Sequence, residues 1–138
     1  MNTPIILAII SLLAGGLMSF CWQVASSNRV YAPSFMLVDT LVFGLVATII
    51  HFAQGHPFAM PPKMMIVASL GGLFGAISFF AIMLALRLGG EGSVIFPVTS
   101  LSVVVVVLLS FAIFREPITM TKLLGLGFAS TAVVLLSR

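Results

Sequence analysis

The chain has 138 residues, of which 61% are hydrophobic and only 7% are charged. Because a soluble domain carries roughly 25% charged residues, this composition excludes a water-soluble fold and predicts an integral membrane protein. The net charge of +3 comes from six Lys and Arg residues that are scattered along the chain. Since they form no basic patch, we expect no nucleic-acid partner.

The predicted elements are apolar segments separated by short polar or Pro- and Gly-containing stretches. Each has about the ~20 residues that a transmembrane helix needs, whereas barrel strands need roughly 10 and alternate in polarity. The stretch Pro61-Pro62-Lys63 is expected to belong to the loop before the third segment. The sequence therefore predicts an all-α integral membrane protein with five transmembrane helices: Pro4–Val24, Phe35–Phe52, Met64–Leu86, Val94–Phe114 and Pro117–Leu136.

The residues that usually mark an enzyme or a metalloprotein are sparse. Cys21 is the only cysteine, so no intrachain disulfide is expected. His51 and His56 border a loop and have no third ligand nearby, which predicts no metal site. The sequence contains no GxSxG, HExxH or P-loop motif and no paired intramembrane carboxylates. We therefore expect a protein that is not an enzyme and that uses no cofactor.

Small and polar residues recur at helical spacing in several segments. Small residues allow membrane helices to approach closely, and Gly71 and Gly75 have the GxxxG spacing of a packing face. Gly125 and Ala129 are predicted to pack in the last helix. The alternative, that such faces line a solute cavity in the first, third and fourth helices, stays open. Trp22 also fits an aromatic belt. Candidate substrate-binding residues outside the acidic group are Ser19, Trp22, Gln23, Ser78, Thr99 and Ser102.

The chain has three acidic residues, and one of them falls inside a predicted span. Glu91 and Glu116 lie in turns, where solvated or helix-capping roles are expected. Asp39 lies about one turn, or ~6 Å, into the second segment. Charges inside a span are costly and often functional. Two interpretations of Asp39 stay open: an interfacial pair with Arg29 or Arg87, or the binding of a substrate or coupling ion.

The basic residues do not predict an orientation in the membrane. Five spans place the two termini on opposite sides. One side then holds Lys63, Arg115 and Lys122, and the other holds Arg29, Arg87 and Arg138. Because orientation follows the excess of Lys and Arg on one side, this balance gives no preference. A protein that inserts both ways up needs such a balance.

The last third of the chain carries a family resemblance. The run Gly92-Ser93-Val94-Ile95-Phe96-Pro97-Val98-Thr99-Ser100-Leu101 is followed by Phe114-Arg115-Glu116-Pro117-Ile118-Thr119 and then by Leu123-Leu124-Gly125. This pattern resembles the end of an EamA-type domain of the drug/metabolite transporter superfamily. There, a Pro among small polar residues opens the penultimate helix, and a Glu shortly before a Thr leads into a Leu/Gly-rich final helix.

The resemblance implies that residues 1–138 form a single five-helix domain, one half-unit of an inverted-repeat transporter. Larger relatives fuse two such units, so the second unit is expected from another copy, in an antiparallel, dual-topology homodimer. The implied function is transport of small metabolites or drug-like solutes by alternating access, in the cell (plasma or inner) membrane. Two alternatives stay open: a half-transporter that pairs with a different, oppositely oriented subunit, and a non-transporting structural or lipid-handling membrane subunit.

Overall fold

The structure, a computed structural model, describes residues 3–115 and 119–136. Every regular element in these residues is a helix: α1 Thr3–Ser27, α2 Ala32–Gln54, α3 Pro62–Arg87, α4 Gly92–Ser100, α5 Ser102–Phe114 and α6 Met120–Leu136. Within them, α1, α2, α3 and the α4–α5 stretch Gly92–Phe114 are long and apolar enough to cross a membrane, and α6 contributes the shorter apolar stretch Leu123–Leu135. The predicted all-α membrane fold is confirmed.

The helices extend slightly beyond their predicted ends. The sequence predicts Pro62 to lie in a loop, but Pro62 is the first residue of α3. A proline is compatible with the first helical turn because the N–H groups there have no intrahelical acceptor. Pro33 occupies the same kind of position in α2. Pro117, the predicted start of the last segment, lies outside the described residues, and α6 begins at Met120.

A Schellman motif ends α1. Arg29 adopts a left-handed conformation with φ 55°. The Arg29 N–H donates to the Ser26 carbonyl at 2.9 Å, and the Val30 N–H donates to the Ala25 carbonyl at 3.1 Å. These bonds satisfy carbonyls that the helix itself leaves without a donor. The chain therefore leaves α1 sharply.

The fourth predicted segment is not one continuous helix. Pro97 lies inside α4 and cannot donate a backbone hydrogen bond. The helix breaks at Leu101, whose N–H donates to the Val98 carbonyl at 3.1 Å in a tightened turn. The hydroxyls of Thr99 and Ser100 both donate to the Phe96 carbonyl, at 2.9 Å and 2.8 Å. The predicted helix Val94–Phe114 is therefore corrected to α4 and α5 with a break between them.

The chain forms two compact units, one ending at Leu88 and the other beginning at Gly89. In the first unit, α3 contacts both α1 and α2, and in the second unit α4 contacts α6. The prediction of a single domain stays a prediction. Buried side chains of the first unit lie at the end of α1, the start of α2 and the end of α3: Trp22, Ala25, Ser26, Ala32, Phe79, Ile82, Met83 and Leu86.

Candidate functional site

A groove of about 360 Å³ lies between α2 and α3 of the first unit, and we call it the α2–α3 groove. Its volume falls in the lower part of the roughly 300–1,000 Å³ range of small-molecule sites. The space beside the glycines of α3 is open, because a Cβ atom added at Gly72 or Gly75 would meet nothing within 4 Å. The groove is lined by Met36, Asp39, Thr40 and Phe43 of α2 and by Gly72, Gly75, Ala76 and Phe79 of α3.

Asp39 is half-buried and is the charged residue of the groove lining. It forms no hydrogen bond or ion pair with the part of the chain that the structure describes. The interfacial pair with Arg29 or Arg87 is therefore not present among the described residues. A carboxylate inside a membrane span is stabilised by a proton, a cation or hydrogen-bond donors. The groove therefore contains one carboxyl group that has no partner among the described residues.

Phe79 connects the groove to the buried end of the unit. It lines the groove and packs edge-on against Trp22, with 4.2 Å between the ring centroids and 67° between the ring planes. Phe35 stacks on the same Phe79 ring with centroids 6.3 Å apart. Trp22 is only 9% exposed, so it packs inside the unit and is not at a lipid-facing aromatic belt in this chain. Trp22 therefore contacts a residue that, like Asp39, lines the groove.

Two buried polar atoms lie close in sequence on α1. The Nε1 atom of Trp22 and the Oγ atom of Ser26 are buried without a hydrogen-bond partner among the described residues. The two residues are separated by one helical turn and face the same side of α1, as does the half-buried Ser19. Buried polar groups normally have partners, which include water and bound molecules. These two atoms are therefore buried polar groups without a partner among the described residues.

The structure does not bring all the predicted binding residues together. Gln23 and Ser78 are exposed and do not line the groove. In the second unit, Thr99 is half-buried and Ser102 is exposed. Asp39 lines the groove, and Trp22, which shares a face of α1 with Ser19, contacts Phe79 of the groove lining. A common site for all seven residues stays a prediction.

The residues that the sequence predicts to pack helices together have open surroundings in this chain. A Cβ atom added at Gly71, Gly75 or Gly125 would meet nothing within 4 Å, and Ala129 is exposed. In α6 the adjacent face is less exposed instead: Leu126 and Ser130 are half-buried and Val133 is buried. A packing role for the predicted residues stays a prediction.

The sequence analysis did not identify several residues that line the groove. Gly72, Gly75, Ala76 and Phe79 follow the spacing i, i+3, i+4 and i+7 of one helix face. The sequence analysis predicted a packing face at Gly71 and Gly75 instead, because this pair has the GxxxG spacing. The helical period of the small residues could have identified this face, but nothing local indicates that α2 lies opposite.

The comparison with protein families is consistent with the membrane-length helices of the structure. The model of the EamA-like transporter family matches residues 2–138, almost the whole chain. No curated protein matches the chain, and no solved structure does. The match covers both compact units, the membrane-length helices and the groove. The chain therefore belongs to the EamA-like transporter family, whose members are membrane transporters of the drug/metabolite transporter superfamily.

Proposed function

We propose that this protein moves a small metabolite or drug-like solute across the cell membrane by alternating access, as an antiparallel, dual-topology homodimer that catalyses no reaction. Family membership supports transport. The observation that supports a homodimer is the equal number of Lys and Arg residues expected on the two sides of the membrane. Two copies inserted in opposite orientations would build the inverted pair on which many transporters depend.

The structure shows how the charges are distributed over the helix ends. Lys63 lies in the first turn of α3, and Arg115 follows α5 directly. Arg29 lies in the connection after α1, and Arg87 is the last residue of α3. In the five-span topology that the sequence predicts, consecutive spans alternate in direction, and the first two residues are then expected on one side and the last two on the other. Lys122 and Arg138, the latter outside the described residues, add one charge to each side in the sequence.

The open small-residue faces support a second copy. Lipid chains fill the space beside a glycine face less well than another helix, so close helix pairs form there. Among the described residues, no heavy atom lies within 4 Å of a Cβ atom added at Gly71, Gly75 or Gly125, so a helix of a second copy could pack there. An antiparallel partner would make the two sides of the assembly equivalent. Equivalent sides are what a site that opens alternately to each side requires.

Single-cysteine labelling tests the orientation. In a Cys21→Ser background, we introduce His56→Cys in the α2–α3 connection or Ser93→Cys in the first turn of α4. Both positions are exposed and are separated by one span. A membrane-impermeant maleimide applied to intact cells should label about half of each variant, and the rest only after permeabilisation. If one variant labels completely and the other not at all, the orientation is fixed and the homodimer is wrong.

Orientation-biased copies test the assembly itself. His56→Lys with Ala59→Lys should drive the chain into one orientation, and Leu88→Lys with Glu91→Lys into the other, because short-loop basic residues direct insertion. Differently tagged copies with opposite bias should co-purify, while two copies with the same bias should not. Co-purification of same-bias copies would contradict the antiparallel arrangement and favour a parallel assembly.

A further inference from the structure

The α2–α3 groove combines one acidic group with walls that are otherwise almost free of charge and polarity. Asp39 is the charged residue of the lining, and no Lys or Arg belongs to it. Thr40 supplies the hydroxyl of the lining, and the remaining side chains are apolar or aromatic. A sugar or an anionic solute needs several donors or a cation from the protein to replace its hydration. Among the described residues, the groove lining does not supply them, so it suits those solute classes poorly.

The carboxylate of Asp39 favours a positively charged occupant of the groove. Asp39 is half-buried and has no ion pair or hydrogen bond within the described residues. In a span, where the surroundings have a low dielectric constant, an unpaired carboxylate attracts a cation more strongly than it would in water. The charge complementarity of the groove therefore points to a cationic occupant.

The aromatic walls define the rest of that occupant. Phe43 and Phe79 line the groove from α2 and α3, and Met36 adds a flexible apolar surface. The Phe43 ring is 76% exposed and therefore accessible to an occupant, whereas Phe79 is buried and already contacts Trp22 and Phe35. Aromatic faces attract organic cations, by about 0.5–2 kcal/mol for each good contact. The glycines at positions 72 and 75 leave room for an apolar body beside the charge. The volume of about 360 Å³ accommodates one small molecule.

We propose that the α2–α3 groove binds a monovalent organic cation, an amine or quaternary ammonium ion with an apolar body, whose charge lies against Asp39 and whose body lies between Phe43 and Phe79. This inference rests on the proposed transport function and names the substrate class. Binding to the groove uses residues of one chain only, so it can be measured independently of orientation and assembly.

A matched pair of probes tests the charge. Benzyltrimethylammonium is a cation, and neopentylbenzene has the same shape with carbon in place of nitrogen. The protein has one tryptophan, Trp22, which lies 4.2 Å from the Phe79 ring of the groove, so its fluorescence reports binding. We expect the purified wild-type chain to bind the cation at least about tenfold more tightly than the neutral compound. Equal affinity for both would overturn the proposal without any variant.

Three variants locate the site. Asp39→Asn should weaken cation binding at least about tenfold and leave the neutral compound unaffected. Glu91→Gln, the matched control, removes an exposed acid from the α3–α4 connection and should change neither affinity. Gly75→Leu should fill the groove and abolish binding of both compounds; circular dichroism and gel filtration verify that each variant is folded. Cation binding by Asp39→Asn at wild-type affinity would overturn the assignment.

Two outcomes separate this inference from the proposed function. If the cation binds as expected but labelling shows one orientation, the antiparallel homodimer fails and the groove assignment holds. If both orientations are found but wild-type protein binds no cation, the substrate class is wrong. If Asp39→Asn loses solute uptake while the wild-type protein binds no cation, the proposal is also overturned. Asp39 would then serve only to bind a coupling proton.

Discussion

The two ends of the α1–α3 unit differ in packing although both are strongly apolar. At one end, where α1 ends, α2 begins and α3 ends, Met83 is 1% exposed and Trp22, Phe79 and Leu86 are buried. At the other end, large side chains such as Ile5, Phe52 and Ile66 are more than half exposed. Hydrophobicity is therefore not what distinguishes the packed end from the open end.

The difference shows what holds membrane helices together. An apolar side chain gains little by moving from lipid to protein, since both surroundings are apolar. Packing then depends on shape and dispersion contacts. At the packed end, Phe79 of α3 contacts the rings of Trp22 from α1 and Phe35 from α2, so aromatic contacts join all three helices. At the open end, His51 contacts the rings of Phe52 and Phe58, which lie in α2 itself and in the connection after it.

The largest expected change in the free energy of unfolding comes from a substitution at the packed end. Met83→Ala should lower the free energy of unfolding by about 2 kcal/mol, because it leaves a cavity at the most buried side chain. Met65→Ala, at the open end and 51% exposed in the wild type, should change it by less than about 0.5 kcal/mol. Denaturation by SDS in mixed micelles, followed by Trp22 fluorescence, measures both. Equal losses would mean that lipid or a partner packs the open end equally well.

A smaller effect concerns the unpaired hydroxyl at the packed end. Ser26→Ala should raise the free energy of unfolding by about 1 kcal/mol, because it removes a buried polar atom without a partner. Ser27→Ala is the control, since the Ser27 hydroxyl is exposed and donates to the Val24 carbonyl at 2.9 Å. The same denaturation assay applies. A loss of stability in Ser26→Ala would show that a water or a bound molecule satisfies Ser26 Oγ.

The smallest effect lies at the turn that follows the packed end of α1. Arg29→Gly should raise the free energy of unfolding by about 0.5 kcal/mol, because φ 55° is unfavourable for a residue with a Cβ atom. Arg29→Ala removes the same charge but keeps the backbone strain, so it should bring no gain. If both variants gain equally, repulsion or desolvation of the guanidinium, and not backbone strain, determines the cost at this position.

The sequence predicted the fold class, the family and most helix ranges. Long apolar segments and the loops between them are local features, and the bilayer requires each span to satisfy its own backbone. It did not predict the break at Leu101. The sequence shows Pro97, but the hydrogen bonds of Thr99 and Ser100 to the Phe96 carbonyl depend on the backbone geometry near the break. Pro62 shows the opposite case, since a proline expected in a loop begins a helix.

The sequence by itself determined that the chain is helical, apolar and built for a membrane, and that one acid, Asp39, lies inside a span. Only the tertiary structure decided that Asp39 faces a groove with Phe43, Gly75 and Phe79, and that Trp22 packs on the same Phe79 ring. The reason is physical: lipid and protein interior are equally apolar, so hydropathy cannot indicate which helix face packs on which neighbour. That choice depends on the shapes of side chains that lie some forty residues apart in the sequence and meet only when α2 and α3 pack together.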